Sequence, residues 1–234
     1  MDKQSQVIDD LVKANRILAQ QGVLDSFGHV SMRSSFHTDR FFLSTNKAPA
    51  RVEAADIMTL DFNGEAVGDE RRSYLERFIH SEIYRARPDV QAVVHSHSPS
   101  VIPYSVVPSQ PLRPICHVAA GMGQTVPVFD IADTAGPATD MLVRDAGLGK
   151  ALASVLGSNC TVLMRGHGIT IAATSLKAAV FNAIYAELNA RLQTQAIGLG
   201  PVTYLSEGEV DAAWATSERV LDRAWDNWCA EIRR

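Results

Sequence analysis

The amino-acid sequence predicts a single α/β domain, a three-layer sandwich in which helices flank a mainly antiparallel or mixed sheet. Segments with a helical spacing of apolar residues alternate along the chain with short apolar runs of strand length. Asn63-Gly64, next to one of these runs, is a strong hairpin signal. No linker rich in Pro, Ser or Gly divides the 234 residues, so one domain over residues 1–234 is expected.

The first part of the chain predicts one helix followed by three strands. Val7, Leu11, Ala14 and Leu18 repeat at helical spacing, and Gly22 ends the helix. Three strand-like pieces follow, and the last of them continues through the Asn-Gly turn into a hairpin. These pieces are HVSMR (29–33), RFFLS (40–44) and IMTLD (57–61).

The remainder alternates helices and strands. Pro88 ends a helical segment, SYLERFIHSEIYRA (73–86). The segments that follow are a strand at 90–97, a Pro-rich connection at 99–114, a helical turn at 148–156, strands at 160–166 and 168–173, a helix at 175–196 and a last helix from about Glu209 to the end. Trp214, Trp225 and Trp228 in the last helix are expected to pack in the core or between subunits.

Charge and composition exclude several classes of function. The net charge of −4 gives no electrostatic basis for binding nucleic acid or an anionic membrane. No window approaches the roughly 18 apolar residues of a transmembrane helix, and the N-terminal segment has no signal-peptide core. The odd, scattered cysteines Cys116, Cys160 and Cys229 indicate a reducing compartment. A cytoplasmic protein is therefore expected.

Two histidines end the strand at 90–97. In QAVVHSHSPS, His95 and His97 are two residues apart, so their side chains point to the same face of a strand. A third histidine, His167, lies between two glycines that let the backbone bend sharply. Three histidines at strand ends fit a divalent metal site with an open position. From spacing alone the alternative stays open that all three are structural residues.

A carboxylate in the helical segment before this strand favours the metal. Glu76 lies among apolar residues, and a carboxylate on a core-facing surface needs a partner such as a metal. Close to the metal it could also move a proton to or from carbon. The alternative is an i,i+4 pair between Glu76 and His80 on the helix. Glu82 is expected on a solvated face.

These motifs resemble the class II aldolase/adducin family, which includes zinc-dependent fuculose-phosphate aldolase. The family pattern appears over nearly the whole chain, as GHVSMR, as ERFIHSEIYRARPDVQAVVHSH and as GHGI followed by a long helix. The resemblance implies that His95, His97 and His167 bind one divalent metal per subunit and that Glu76 is the catalytic acid/base. It also implies a cyclic homotetramer with active sites at the subunit interfaces.

The chain departs from the family's phosphate-binding members. The loop STNKAPAR carries Lys47 where a glycine is expected, Tyr74-Leu75 replaces a Ser pair, and His29 replaces the asparagine of GNVS. A phosphate cradle needs close backbone approach and small hydroxyl donors, so a carboxylate held by Lys47, Arg51 and His29 is expected instead. The alternative for both cations is solvated loop charge. His117 either contacts substrate or is a core histidine.

The resemblance is greatest to family members that decarboxylate hydroxylated aromatic dicarboxylates. It implies loss of the carboxylate next to the hydroxyl, with 3-hydroxy-2-methylpyridine-4,5-dicarboxylate of vitamin B6 breakdown as the expected substrate and a dihydroxyphthalate as an alternative. Manganese is the expected metal and zinc its alternative. The competing hypotheses are an aldolase acting on an unphosphorylated hydroxy-carbonyl compound and an adducin-like scaffold domain. The scaffold predicts erosion of the histidines or of Glu76, and all four residues are present.

Overall fold

In a computed structural model, which describes residues 2–232, a seven-stranded sheet forms the middle of three layers. The helices are α1 (Lys3–Gln20), α2 (Arg77–Ala86), α3 (Ile102–Val106), α4 (Ala132–Ala135), α5 (Ala146–Leu156), α6 (Leu176–Leu199), α7 (Glu207–Glu218) and α8 (Leu221–Glu231). The strands are β1 (His29–Arg33), β2 (Arg40–Ser44), β3 (Ile57–Asp61), β4 (Ala92–Ser96), β5 (Val128–Phe129), β6 (Thr161–Met164) and β7 (Gly168–Ala173). Short 3-10 helices lie at Pro49–Arg51, Ala54–Asp56 and His117–Met122.

The strand order, β3-β2-β1-β4-β7-β6-β5, brings distant parts of the chain side by side. All neighbours are antiparallel except β5 and β6, which run parallel, so the predicted mainly antiparallel or mixed sheet is confirmed. Strand β4 lies between β1 and β7, with His95 opposite both His29 and Thr170. Residues from three distant segments thereby meet at one end of the sheet.

Helices cover both faces of the sheet. Alternate residues of β4 separate the two cores: Ala92 and Val94 pack in the core beneath α1, α6 and α8, and Val93 packs in the core beneath α2 and α5. Because both faces are buried, the central strands are nearly continuous apolar runs. Trp225 and Trp228 of α8 are buried in the first core, as expected. No helix within residues 2–232 combines the length and apolarity needed to cross a bilayer.

Two helices differ from the prediction. The helix expected at 73–86 begins only at Arg77, because Ser73 forms a bridge with Thr45 and continues the sheet edge instead. The single last helix is two helices, and a turn in which the Val220 amide donates to the Ser217 carbonyl separates α7 from α8. Its predicted extension to residues 233 and 234 lies outside the described residues.

The Asn-Gly hairpin forms as a turn with a very short second arm. Gly64 has a φ of +79°, and the Asp61 side chain accepts the Asn63 and Glu65 amides. Beyond the turn only one isolated bridge, between Leu60 and Ala66, continues the pairing. The turn chemistry was therefore predicted, and the extent of the second strand was not.

Candidate active site

Four side chains converge at the end of the sheet where β4 stops. They are Glu76, His95, His97 and His167, and one donor atom from each lies within 4.8 Å of the others. Glu76 precedes α2, His95 lies in β4, His97 follows β4 and His167 lies in the turn between β6 and β7. The structure thus brings together all four residues that the sequence singles out for metal binding and proton transfer.

The two glycines around His167 have different roles. Gly166 adopts a φ of +64°, which a residue with a side chain rarely takes, and this makes the sharp turn out of β6. At Gly168 a Cβ atom would lie 2.1 Å from the carbonyl oxygen of Ser96, so only glycine lets β7 start this close to the end of β4. This close approach places His167 next to His97.

The hydrogen bonds of His97 and His167 determine which ring nitrogens carry hydrogen. His97 Nδ1 lies 3.0 Å from Asp25 Oδ2, and His167 Nδ1 lies 2.9 Å from the carbonyl oxygen of Met141. Both oxygens only accept, so in the neutral rings both Nδ1 atoms donate and both Nε2 atoms carry lone pairs. These two Nε2 atoms face each other at 3.1 Å. Two lone pairs in this position repel each other unless a cation lies beside them.

His95 supplies a third unpartnered nitrogen. Its ring is fully buried, and its Nε2 atom has no hydrogen-bond partner. Burial lowers the pKa of His95 to about 3, so the ring is neutral at pH 7 and able to bind a metal. In a tetrahedral zinc site two nitrogen ligands about 2.1 Å from the ion are roughly 3.4 Å apart, similar to the His97–His167 separation. The donor set therefore fits one divalent metal.

Glu76 is held against the histidines by a backbone group. Its Oε1 atom accepts a hydrogen bond from the Val143 amide at 3.0 Å, and its Oε2 atom lies 3.6 Å from His95 Nε2 and 3.5 Å from His167 Nε2. Burial alone would raise the pKa of Glu76. The neighbouring His167 and His95 rings, which attract the carboxylate when they carry an extra proton, and the hydrogen bond from the Val143 amide together lower it to about 2. At neutral pH Glu76 is a carboxylate that can bind a metal or accept a proton.

For α2, the alternative considered for Glu76 and the expectation for Glu82 are both wrong. His80 does not form the i,i+4 pair with Glu76, because its ring bonds His29 and Ser31 on β1 instead. Glu82 is buried rather than solvated, since α2 packs against α5, and it forms an ion pair with Arg85 at 3.3 Å.

Sequence reasoning missed the groups that orient the cluster. Met141 is the one non-glycine residue with a positive φ within residues 2–232, and its carbonyl accepts a hydrogen bond from His167. Two residues further on, the Val143 amide donates to Glu76. Backbone groups leave no signal in residue types. From the sequence, Asp25 could have been recognised only as a turn-capping residue, because its side chain accepts a hydrogen bond from the Gly28 amide.

The expected substrate residues are dispersed. His29 is buried beside the cluster, with its ring 5.1 Å from that of His95. Lys47 Nζ is bound to Asp56 Oδ2 at 2.6 Å, and Arg51 is exposed in the following 3-10 helix. His117 is exposed at the start of a 3-10 helix that packs against α6 and α7, so it is not a core histidine. Of these four residues, only His29 adjoins the histidines within its own subunit.

Replacing Asp25 with asparagine is expected to weaken metal binding by about 10- to 100-fold, the usual cost of losing a partner that orients a metal-binding histidine. The new amide can keep the bonds to the Phe27 and Gly28 backbone. Its NH2 group, however, cannot accept the His97 Nδ1 hydrogen. Titration with Zn²⁺ against a competing chelator measures the change. Asp39→Asn, at an exposed carboxylate on another loop, is the matched control, and equal affinities for both variants would contradict the role of Asp25.

Comparisons with known proteins agree with this fold. The family described as Class II Aldolase and Adducin N-terminal domain matches residues 9–194. The chain is 35% identical to the decarboxylase tropJ of Talaromyces stipitatus, covering 92% of this chain and 90% of that protein. It is 33% identical to a 3,4-dihydroxyphthalate decarboxylase of Arthrobacter keyseri, covering 80% and 77%.

Solved structures share the fold at lower identity. An aldolase II superfamily protein from Pseudomonas syringae superposes with a TM-score of 0.82 at 21% identity, covering 100% of this chain and 94% of that one. An L-fuculose 1-phosphate aldolase superposes with a TM-score of 0.75 at 22% identity, covering 91% and 96%. The family match over most of the sequence, together with the 35% identity to the decarboxylase tropJ, shows that the chain belongs to the class II aldolase and adducin N-terminal domain family.

Proposed function

We propose that this protein is a metal-dependent decarboxylase of a hydroxylated aromatic dicarboxylate. The observation that carries the proposal is the cluster of three inward-facing imidazole nitrogens with the Glu76 carboxylate beside them. Relatives that share most of their length with this chain are named as decarboxylases, three of them by an aromatic dihydroxy dicarboxylate substrate. The chain is thus an enzyme that breaks carbon–carbon bonds.

Decarboxylation requires a group that stabilises the electron pair left on the ring carbon and a donor for the proton that replaces CO2. A divalent metal held by His95, His97 and His167 would supply positive charge that stabilises the electron pair left on carbon. Glu76, a carboxylate at neutral pH, takes the proton of the substrate hydroxyl. The bond between the ring and the adjacent carboxylate then breaks, CO2 leaves and the electron pair stays on the ring carbon. Glu76 returns its proton to that carbon, and water later restores the hydroxyl proton.

The second carboxylate is assigned to the side of the site where His29 and Lys47 lie. Tyr74 connects them, since its ring lies 4.6 Å from that of His29 and its hydroxyl donates to the Lys47 carbonyl. Lys47 shares its charge with Asp56, so the carboxylate must compete with that ion pair. Arg51 adds positive charge to the same loop. His117 keeps a substrate role only if a neighbouring subunit brings it to the site.

We also propose that the active form is a homotetramer with sites between subunits. Two large apolar side chains next to the site residues are strongly exposed, Phe27 at 70% and Leu75 at 63%. Leu75 directly precedes Glu76, and Phe27 lies two residues before His29. A neighbouring subunit would cover both and exclude water from the site.

The decisive test measures CO2 release by the protein loaded with Mn²⁺ or Zn²⁺. The two substrates are 3,4-dihydroxyphthalate, favoured by the named relatives, and 3-hydroxy-2-methylpyridine-4,5-dicarboxylate, favoured by the sequence resemblance. Phthalate, which has both carboxylates and no hydroxyl, is expected to release none. Light scattering on the same sample gives the number of subunits, four being expected. Aldehyde release from an unphosphorylated hydroxy-carbonyl compound, with no CO2 from either acid, would establish the aldolase instead.

A further inference from the structure

A buried chain of hydrogen bonds runs from α2 through β1 to the edge of the histidine cluster. The Tyr84 hydroxyl lies 2.7 Å from Ser31 Oγ, Ser31 Oγ lies 2.6 Å from His80 Nδ1, and His80 Nε2 lies 2.6 Å from His29 Nδ1. All four side chains are at most 2% exposed. The proposed reaction assigns no task to Tyr84, Ser31 or His80.

Both imidazoles in this chain are neutral. Both rings are at most 2% exposed, and the hydrogen bonds of His80 run to two uncharged side chains, Ser31 and His29, rather than to a carboxylate that would favour a charged ring. A neutral imidazole donates from one ring nitrogen and accepts at the other. If Ser31 donates within the chain, the hydrogens point either toward His29 or toward Tyr84. Ser31 could otherwise accept from both Tyr84 and His80, but its own buried hydrogen would then have no acceptor within residues 2–232.

The Tyr84 hydroxyl decides between the two directions. If the hydrogens point toward His29, Tyr84 donates to Ser31, Ser31 donates to His80, and His80 donates to His29. In the opposite direction Ser31 donates to Tyr84, and the Tyr84 hydrogen needs another acceptor. Within residues 2–232 the Tyr84 oxygen has no further hydrogen-bond acceptor, and the nearby backbone group, the Val93 amide, is a donor. A buried donor without a partner is disfavoured, so the hydrogens point toward His29.

This direction leaves His29 with its hydrogen on Nε2. That nitrogen lies on the side of the ring away from His80. Within residues 2–232 it is not a fully enclosed atom that lacks a hydrogen-bond partner. The His29 ring lies between those of Tyr74 and His95, at 4.6 Å and 5.1 Å. An N–H group next to the histidine cluster is thus left available.

We propose that Ser31 and His80 are positioning residues. They hold His29 as a fixed Nε2–H donor to a carboxylate oxygen of the substrate, and the Tyr84 hydroxyl sets the direction by donating to Ser31. The identity of the substrate rests on the proposed function, whereas the tautomer does not. An asparagine at position 29 could rotate its amide to donate or to accept. His29 in this chain only donates, so it selects a group that accepts, such as a carboxylate, over a group that must donate.

The test reads the tautomer directly, by nuclear magnetic resonance of the zinc-loaded protein with ¹⁵N in its histidine rings. His29→Asn assigns the His29 signals by their loss. The expected wild-type result is a hydrogen on His29 Nε2 and none on Nδ1, with the Nε2–H signal shifting when phthalate is added. A His29 signal protonated on Nδ1 overturns the proposal, whether or not the protein decarboxylates anything.

Ser31→Ala removes the hydroxyl through which Tyr84 sets the direction, and it is expected to give a mixture of the two His29 tautomers. Ser31→Thr keeps a hydroxyl and is expected to restore the single tautomer. Ser217→Ala, a buried serine in α7 remote from this chain of bonds, is the matched control and should leave the signal unchanged. In the CO2 assay, the fold increase in KM caused by Ser31→Ala should exceed the fold decrease in kcat by about tenfold. A single Nε2–H tautomer in a folded Ser31→Ala protein would show that Ser31 does not set it.

Discussion

Replacing Glu76 with glutamine is expected to lower kcat for CO2 release by about 10²- to 10⁴-fold, the usual contribution of a positioned acid or base. The glutamine oxygen can keep the bond from the Val143 amide, so the side chain stays in place. What it loses is the ability to take and return a proton. Because three imidazole nitrogens remain, the metal is expected to stay bound, and elemental analysis of the purified variant checks this.

Glu82→Gln is the matched control for that substitution. Glu82 is also a buried carboxylate on α2, but it pairs with Arg85 and is not part of the metal cluster. Its kcat should stay within a few-fold of the wild-type value. Near-normal turnover by Glu76→Gln would remove Glu76 from the proton transfer. Loss of metal from that variant would instead make Glu76 mainly a ligand.

Replacing His167 with alanine is expected to abolish both metal binding and CO2 release. The change removes one of three nitrogens and also the Met141 contact that orients it. The loss of affinity should exceed the roughly 10- to 100-fold that follows from losing only an orienting partner. Since metal that binds only the folded state stabilises it, added Zn²⁺ should raise the Tm of the wild type and not that of the variant.

His37→Ala serves as the comparison for His167→Ala, because His37 is an exposed loop residue outside the cluster. It should retain one metal per chain and the wild-type Tm shift. The convergence of the histidines on one ion would be refuted by a folded His167→Ala protein that binds Zn²⁺ as tightly as the wild type. Both variants are compared after dialysis against the same chelator.

Several strands could be predicted to the residue. The runs at 29–33, 40–44, 57–61 and 168–173 have the same bounds in the structure as in the sequence. They were recognisable as short runs of strand-forming residues between turn signals, whether buried throughout, as β7 is, or alternately buried and half-buried, as β3 is. The start of α2 was not predictable in the same way. Ser73 and Tyr74 are bound to residues of the 44–47 segment, and those long-range bonds delay the helix until Arg77.

The substrate side of the site was less predictable than the metal side. Lys47 was expected to hold a substrate carboxylate, with solvated loop charge as the alternative, and the structure pairs it with Asp56 across the short loop between β2 and β3. His29 was singled out only because it replaces an asparagine of the family pattern. Its hydrogen-bond partner His80 was considered only as an alternative i,i+4 partner of Glu76, and the strand order instead places β1 against that face of α2.

Residue types and their spacing were enough to select the candidate metal-binding side chains, because the two-residue period of a strand and the Gly-His-Gly turn are local properties of the chain. The positions of the ring nitrogens relative to one another, and the hydrogens available beside them, could be read from the fold alone. Those depend on contacts between groups far apart in sequence, such as Glu76 with Val143, 67 residues away, and His29 with His80, 51 residues away. Such contacts follow from the strand order and the packing of α2, and no local period encodes them.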